Sequence, residues 1–130
     1  MKSIGGRGCA LVADDSDFSR TVIARLLEHL GYEALQACDG AEAVEIYQRR
    51  GPSIELVLLD YEMPRMNGVE VYRRLKEMDR GARVIMCSGS SDRRELEELV
   101  NMGLVNFIPK PFGLDALTSA IDKMNKQGSA

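Results

Sequence analysis

Short apolar runs alternate along this chain with longer segments in which apolar residues recur every three or four positions. The short runs are rich in Val, Leu, Ile and Ala, which is typical of strands buried on both faces of a parallel sheet. They predict strands at about residues 9–13, 32–38, 54–59, 83–87 and 104–108, each followed by a helix. This alternation predicts one doubly wound α/β domain, with five parallel strands joined by right-handed crossovers.

Residues that favour helix ends support this assignment. Gly31 and Gly103 follow predicted helices at the position where a left-handed residue commonly ends a helix. Asp39 and Glu42 are spaced as a capping box before the second helix. The first helix is expected to bury one apolar face, made of Phe18, Val22, Ile23, Leu26, Leu27 and Leu30.

The chain has the length of a single domain. Residues 1–8 contain three glycines and few apolar residues, so a flexible lead-in is expected there. The domain is predicted to span residues 9–124, and residues 125–130 are expected to form a frayed tail. Residues after 124 are too few to form a DNA-binding or catalytic domain, so the chain is expected either to signal by contact with another protein or to be part of a longer one.

The net charge and the cysteines limit which classes of partner and which cellular location are expected. The net charge of −3 argues against nucleic acid as the main partner, because phosphate binding needs a basic face. No apolar run approaches the roughly 18 residues of a membrane span, and no signal-like segment opens the chain. The three cysteines lack CxxC spacing and are expected to be buried, reduced thiols. A cytoplasmic location is therefore expected.

Polar side chains follow four of the five predicted strands. Asp14 and Asp15 come after the first strand, and Asp60 comes after the third. Ser88 and Lys110 come after the fourth and fifth strands. Because parallel strands share a direction, their carboxyl ends lie along one edge, where open α/β sheets bind ligands. We therefore expect these five residues to surround one site.

Three carboxylates in one crevice repel each other unless a cation or a proton neutralises them. Mg²⁺ is typically held by one or two carboxylates with water and phosphate oxygens, and a carboxylate can accept a phosphoryl group. Asp60 stands alone on its strand, so we assign it as the phosphoacceptor. The adjacent Asp14 and Asp15 are assigned to the metal, and Lys110 and Ser88 to the phosphoryl oxygens.

Four signatures in this chain resemble the CheY-like receiver domain of bacterial response regulators. They are the pair Asp14 and Asp15, the segment LLDYEMPRMNG at 58–68, the pair Ser88 and Gly89, and the segment FIPKPF at 107–112. The match covers residues 9 to about 124, with the signatures in the family's order. It implies a flavodoxin-like sheet with strand order 2-1-3-4-5.

The resemblance also implies a specific chemistry. Asp60 would take a phosphoryl group from a phosphohistidine on a sensor histidine kinase or a histidine phosphotransfer protein. Mg²⁺ would bind Asp15, Asp60 and the backbone carbonyl of Glu62, with Asp14 acting through water. Such a domain catalyses only its own phosphorylation and dephosphorylation, so it is not expected to be an enzyme for a separate substrate.

A conformational switch is implied as well. Ser88 would swing toward the phosphoryl group, and Phe107 would turn inward into the space that the hydroxyl leaves. A downstream protein would bind the face made by the fourth helix, the fifth strand and the fifth helix. The bond between Lys110 and Pro111 matches a peptide bond that is often cis in this family.

Some positions bear on the lifetime of the phosphate. Ser88 stands where Thr is more frequent, so the hydroxyl is kept without the methyl group that stiffens its rotamer. Glu62 and Ser90, each two residues after a key group, match positions that flank the phosphate and tune its lifetime. No direction of that effect is predicted.

Two alternatives remain open at this point. A small Mg²⁺ phosphohydrolase of the haloacid-dehalogenase type shares the motif order of Asp15 and Asp17, then Ser88 and Lys110. It needs a later acidic pair at another strand end, whereas only Asp115 and Asp122 follow Lys110, both in a predicted helix, and it leaves Asp60 unexplained. The other alternative is a degenerate receiver that acts as a constitutive docking module.

Overall fold

The computed structural model describes residues 6–89, 93–101, 103 and 106–128. Strands and helices alternate in it as β1 (Cys9–Ala13), α1 (Asp17–His29), β2 (Glu33–Ala37), α2 (Gly40–Arg50), β3 (Ile54–Asp60), α3 (Gly68–Met78), β4 (Val84–Ser88), α4 (Arg93–Asn101), β5 (Phe107–Pro109) and α5 (Leu114–Gly128). A short 3-10 turn at Gly51–Ser53 precedes β3. The described strands form a parallel sheet in the order β2-β1-β3-β4-β5, as the family resemblance implied.

The core lies on both faces of this sheet because successive strand side chains point to opposite sides. Leu11 and Val57 contribute to a cluster with α2, α3 and α4 on one face. Val12 and Leu58 contribute to a second cluster with α1 and α5 on the other face. Strands β1 and β4 are buried throughout, which explains their continuous apolar runs. Among the described helices, none combines the length and the apolar character that a membrane span requires.

Side-chain caps set the starts of three helices. Ser16, Asp39 and Asn67 each accept a hydrogen bond from a backbone N–H three residues later, before α1, α2 and α3. Glu42 completes the cap of α2, but its carboxylate accepts from the Cys38 N–H at 2.7 Å. In the usual capping box it would reach back to the N–H of the cap residue itself. Gly31 has the predicted positive φ, at 101°.

The first helix buries only part of its predicted apolar face. Ile23 and Leu27 lie against the sheet, whereas Phe18 is 80% exposed and Val22 is 40% exposed. Phe18 and Val22 belong to a neighbouring row of the helix, which is rotated away from the strands. The helical spacing therefore predicted the helix correctly but overstated the width of its buried stripe.

Two further expectations differ from the structure. Cys38 is exposed, because it follows the edge strand β2, whereas Cys9 and Cys87 are buried as expected. Helix α5 continues to Gly128, so that residues 125–128 are helical where a tail was expected. No strong helix breaker occurs before Gly128, which explains the extension. Residues 104–105 of the predicted fifth strand and residue Ser90 lie outside the described residues.

Candidate functional site

The carboxyl edge of the sheet brings the predicted polar residues together. Asp14, Asp60 and Ser88 are all buried there, with at most 5% exposure. Asp14, Asp15 and Asp60 can each offer a carboxylate oxygen, and these oxygens lie within 4.8 Å of one another. Asp15 is the exposed member of the cluster. The site is thus an acidic crevice with one carboxylate open to solvent.

Asp14 is held by groups from its own loop and from the start of α1. Its Oδ1 accepts from the Ser16 N–H at 2.9 Å, and its Oδ2 accepts from the Ser19 hydroxyl at 2.6 Å. The Arg20 guanidinium donates to the Asp14 carbonyl at 2.9 Å. Both carboxylate oxygens of Asp14 therefore already accept hydrogen bonds from the protein.

Lys110 reaches the two buried acids from the end of β5. Its Nζ lies 2.9 Å from Asp14 Oδ2 and 3.5 Å from Asp60 Oδ1. Its backbone N–H donates to the Ser88 carbonyl at 2.8 Å, and its peptide bond to Pro111 is cis. Burial lowers the pKa of Lys110, but the bond to Asp14 and the charge of Asp60 outweigh this effect and raise it. Lys110 is therefore a fixed cation inside the crevice.

Asp60 is a buried carboxylate beside two others. Burial is the largest cause that raises its pKa, to about 6, and the charges of Asp14 and Asp15 act in the same direction. Lys110 and the hydrogen bond from the Glu62 N–H oppose this rise only in part. A hard divalent cation would neutralise the excess negative charge, and carboxylate oxygens are the ligands that Mg²⁺ prefers. The residues present therefore fit such an ion.

The loop between β3 and α3 fixes the surroundings of Asp60. Met63 is buried in the core, and the Gly68 N–H donates to the Tyr61 carbonyl at 3.0 Å. A Cβ at Gly68 would lie 2.7 Å from the Tyr61 Cα and 2.9 Å from the Asp60 carbonyl oxygen. Only glycine lets the start of α3 approach this backbone so closely.

The Glu62 side chain extends from this loop toward the end of β4. Its Oε1 accepts from the Gly89 N–H at 3.2 Å and, at 3.5 Å, from the Ser88 hydroxyl. Its backbone N–H donates to Asp60 Oδ1 at 3.4 Å. The Glu62 carboxylate therefore accepts hydrogen bonds from donors next to the predicted phosphoacceptor. No pattern in the sequence indicated this contact.

Phe107 lies one strand further along the sheet. It is half-buried against the core cluster on the α2, α3 and α4 face, and it pairs in register with Met86. Ser88, two residues after Met86, lies at the end of the same β4 strand. The two residues of the predicted switch pair are thus on neighbouring strands.

Two residues that position Asp14 were missed from the sequence. Ser19 and Arg20 lie in the first turns of α1, five and six residues after Asp14. Polar residues in the first turn of a helix normally indicate capping and carry no specific signal. The direction of the chain after β1, which brings this turn back over the strand end, is what gives them a role.

An apolar groove opens beside the crevice. It has a volume of about 390 Å³, and its lining includes Phe18, Val22, Lys110 and Phe112. The exposed Phe18 and Val22 come from α1, and the other wall comes from the segment after β5. Since Lys110 also contacts Asp60, the groove and the acidic crevice are adjacent.

Comparison with known protein families places this geometry in a wider group. A family model described as the response regulator receiver domain matches residues 10–122. Chemotaxis protein CheY of Bacillus subtilis is 37% identical over 114 residues, which cover 87% of this chain and 93% of that protein. Sporulation initiation phosphotransferase F of Bacillus subtilis is 31% identical over 113 residues, with coverages of 87% and 90%.

Solved structures share the same fold. A receiver domain protein from Clostridium thermocellum has a TM-score of 0.87 at 27% identity, covering 94% of this chain and 97% of that chain. A chain in the CheX-CheY-BeF3-Mg+2 complex from Borrelia burgdorferi has a TM-score of 0.85 at 29% identity, with coverages of 91% and 89%. The five-stranded sheet and its flanking helices are therefore those of CheY-like domains.

Proposed function

Since this chain belongs to the response regulator receiver domain family of two-component signalling, we propose that it is a switch that accepts a phosphoryl group on Asp60. The observation that carries this proposal is the position of Asp60. Its carboxylate is buried at the carboxyl edge of the sheet, clustered with two acids and 3.5 Å from the Lys110 ammonium. These are a nucleophile, a charge-neutralising group and candidate metal ligands in one crevice.

In the proposed reaction, an Asp60 carboxylate oxygen attacks the phosphorus of a phosphohistidine. The new O–P bond forms as the N–P bond breaks, and the imidazole nitrogen keeps the electron pair. Lys110 pairs with a phosphoryl oxygen, and Ser88 donates to another. Hydrolysis by water later returns the Asp60 carboxylate and inorganic phosphate, so the domain acts only on itself and is not an enzyme for a separate substrate.

The acidic cluster is the proposed Mg²⁺ site. Asp15, Asp60 and the Glu62 backbone carbonyl would hold the ion directly, and Asp14 would contribute through water because its oxygens already have protein partners. Bound there, the ion would offset the charge of the transferring phosphoryl group. Its charge would also favour the ionised form of Asp60, which a nucleophile requires.

The proposed output involves the half of the sheet that contains β4 and β5. Ser88 and Phe107 form the proposed switch pair, and α4, β5 and α5 form the proposed face for a downstream protein. Both residues lie on strands of that half of the sheet. Glu62 and Ser90 would tune the lifetime of the phosphate.

The donor protein would dock on the apolar groove beside the crevice. A sensor histidine kinase or histidine phosphotransfer protein must bring its phosphorylated imidazole to Asp60, and the groove shares Lys110 with that site. Phe is among the residues enriched at protein interfaces, and the exposed ring of Phe18 would offer an apolar anchor there. Such partners also imply a cytoplasmic location.

The phosphohydrolase alternative has weaker support. It assigns a role to Asp17, whose side chain is 89% exposed and paired with Arg20 at 2.5 Å. Asp115 and Asp122, the acids available after Lys110, are exposed on α5 and do not lie at a strand end. It also leaves the buried Asp60 without a function.

Labelling with a small-molecule phosphodonor and Mg²⁺ tests the proposal. We expect intact-mass spectrometry to show one added phosphoryl group on the wild-type protein and none on Asp60→Asn. Asp122→Asn, an acid exposed on α5, is the matched control and should label normally. Unchanged labelling of Asp60→Asn would refute the assignment, and steady turnover of a generic phosphomonoester would favour the phosphohydrolase.

A further inference from the structure

The contact between Glu62 and the end of β4 is unusual for an exposed acid. The Glu62 carboxylate accepts hydrogen bonds from the Gly89 N–H at 3.2 Å and from the Ser88 hydroxyl at 3.5 Å. None of the ion pairs among the described residues includes Glu62. The side chain is therefore held by the hydrogen-bond donors of the β4 end, and a salt bridge does not explain its position.

These donors lie beside Asp60 because of the register between β3 and β4. Asp60 pairs with Cys87 across the sheet, and the Tyr61 N–H donates to the Cys87 carbonyl at 2.8 Å. Ser88, the last residue of β4, and Gly89 directly after it thus lie just beyond the level of Asp60. An anion attached to the Asp60 carboxylate would meet the same hydroxyl and the same N–H that Glu62 now occupies.

We propose that the Glu62 carboxylate is an internal competitor of the phosphoryl group, which holds Ser88 and Gly89 in the unphosphorylated protein and is displaced on phosphorylation. This inference rests on the proposed function of Asp60. Two anionic acceptors cannot use one N–H donor at full strength, so gaining the phosphoryl contact requires losing the Glu62 contact. In this proposal the Glu62 side chain favours the unphosphorylated state.

The same contact links the site to the next helix. Gly89 lies four residues before the start of α4 at Arg93. The hydrogen bond from the Gly89 N–H to Glu62 connects this position to the β3–α3 loop. Displacement of the Glu62 carboxylate would break that connection. Phosphorylation of Asp60 would in this way act on the start of α4 through a defined exchange of hydrogen bonds.

Three substitutions at Glu62 separate this mechanism from simple charge repulsion. Glu62→Asp keeps the charge but is one methylene shorter, so its carboxylate no longer reaches the Gly89 N–H. Glu62→Gln keeps the length and an acceptor but loses the charge, and Glu62→Ala loses both. All three keep the backbone carbonyl that is proposed to bind Mg²⁺.

The first measurement is the affinity for beryllofluoride, a phosphoryl mimic, in the presence of Mg²⁺. We expect Glu62→Asp and Glu62→Ala to bind it about three- to tenfold more tightly than the wild type, which corresponds to the loss of one competing hydrogen bond. Glu62→Gln should lie between. Charge repulsion alone would instead leave Glu62→Asp at the wild-type affinity and make Glu62→Gln equal to Glu62→Ala, and that pattern would overturn the proposal.

The second measurement needs no phosphoryl mimic. Amide hydrogen exchange at Gly89 in the resting protein should be faster in Glu62→Asp than in the wild type, because the N–H loses its acceptor. Glu28→Asp, the same change at an exposed position of α1, should leave that rate unchanged. Equal exchange rates in all three proteins would contradict the contact itself.

The two proposals fail in different ways. If wild-type protein with Mg²⁺ does not bind beryllofluoride, the proposed function of Asp60 fails. If it binds but every Glu62 variant binds with wild-type affinity, only the role of Glu62 is refuted.

Discussion

Asp60 carries a buried negative charge that the surrounding protein groups compensate only in part. The ordinary pKa of such a carboxyl group is 3.8, and burial is the main reason that it rises to about 6 in the folded chain. Between these pH values the folded state binds more protons than the unfolded state. The contribution of Asp60 to stability is therefore present at low pH and is lost as the pH rises through about 6.

A pH prediction follows for the Asp60→Asn variant. In chelator, its free energy of unfolding should match the wild type near pH 4 and exceed it near pH 7.5, because the amide carries no charge to desolvate. The rise of the pKa from 3.8 to about 6 sets an upper limit of about 3 kcal/mol on the difference. Urea unfolding at the two pH values measures it, with Asp122→Asn as the control that should follow the wild type. A difference independent of pH would argue against desolvation of the Asp60 charge as the cause.

Helix α1 illustrates how an element can serve two surfaces. One row of its side chains, including Ile23 and Leu27, packs on the sheet. The next row leaves Phe18 and Val22 exposed along the groove that borders Lys110. An apolar stripe wider than the core requires is typical of a helix that also binds a partner.

The Phe18→Ser variant should distinguish docking of the donor protein from the phosphorylation reaction at Asp60. With a histidine phosphotransfer protein or sensor kinase that phosphorylates the wild type, we expect transfer to slow about tenfold or more, as for the loss of an aromatic anchor. Labelling by a small-molecule donor and the free energy of unfolding should change little, because the side chain is 80% exposed. Val100→Ser, a change at a residue of α4 that is 60% exposed, is the matched control. Equal slowing in both variants, or with the small donor, would contradict donor docking at α1.

The whole molecule gathers charge at one edge of its sheet. The end of β3 and the residues after β1 bring three carboxylates within 4.8 Å of one another, and the Lys110 ammonium after β5 pairs with two of them. The fold concentrates this charge because all strands of a parallel sheet point the same way. A cation that binds only the folded arrangement must then stabilise the fold as a whole.

Mg²⁺ is therefore expected to raise the melting temperature of the entire domain, and chelator should reverse the effect. At an ion concentration one hundred times the dissociation constant, the gain in the free energy of unfolding would be about 2.7 kcal/mol. Asp15→Asn should remove most of this gain, because it takes away the exposed carboxylate of the cluster. Asp122→Asn should keep it. A wild-type melting temperature that does not change when Mg²⁺ is added would exclude the proposed site.

Much of the molecule could be predicted from local patterns. The apolar runs indicated the positions of the strands, and the residue that follows each run indicated which side chains would share the carboxyl edge. Gly31 and Asp39 indicated helix ends through the backbone conformation and the cap that they favour. The strand order came from the resemblance to receiver domains, since alternation alone does not distinguish one parallel order from another.

The sequence by itself thus determined the class of fold and the chemical groups at its edge, because both depend on the order of polar and apolar residues along short segments. Only the tertiary structure decided which row of α1 is buried, how Ser19 holds Asp14, and that Glu62 reaches Gly89. Each of these depends on the distance and rotation between segments packed in three dimensions. No periodicity within a single segment records such a distance, which is the physical reason that the resting contacts of the site became visible only in the folded chain.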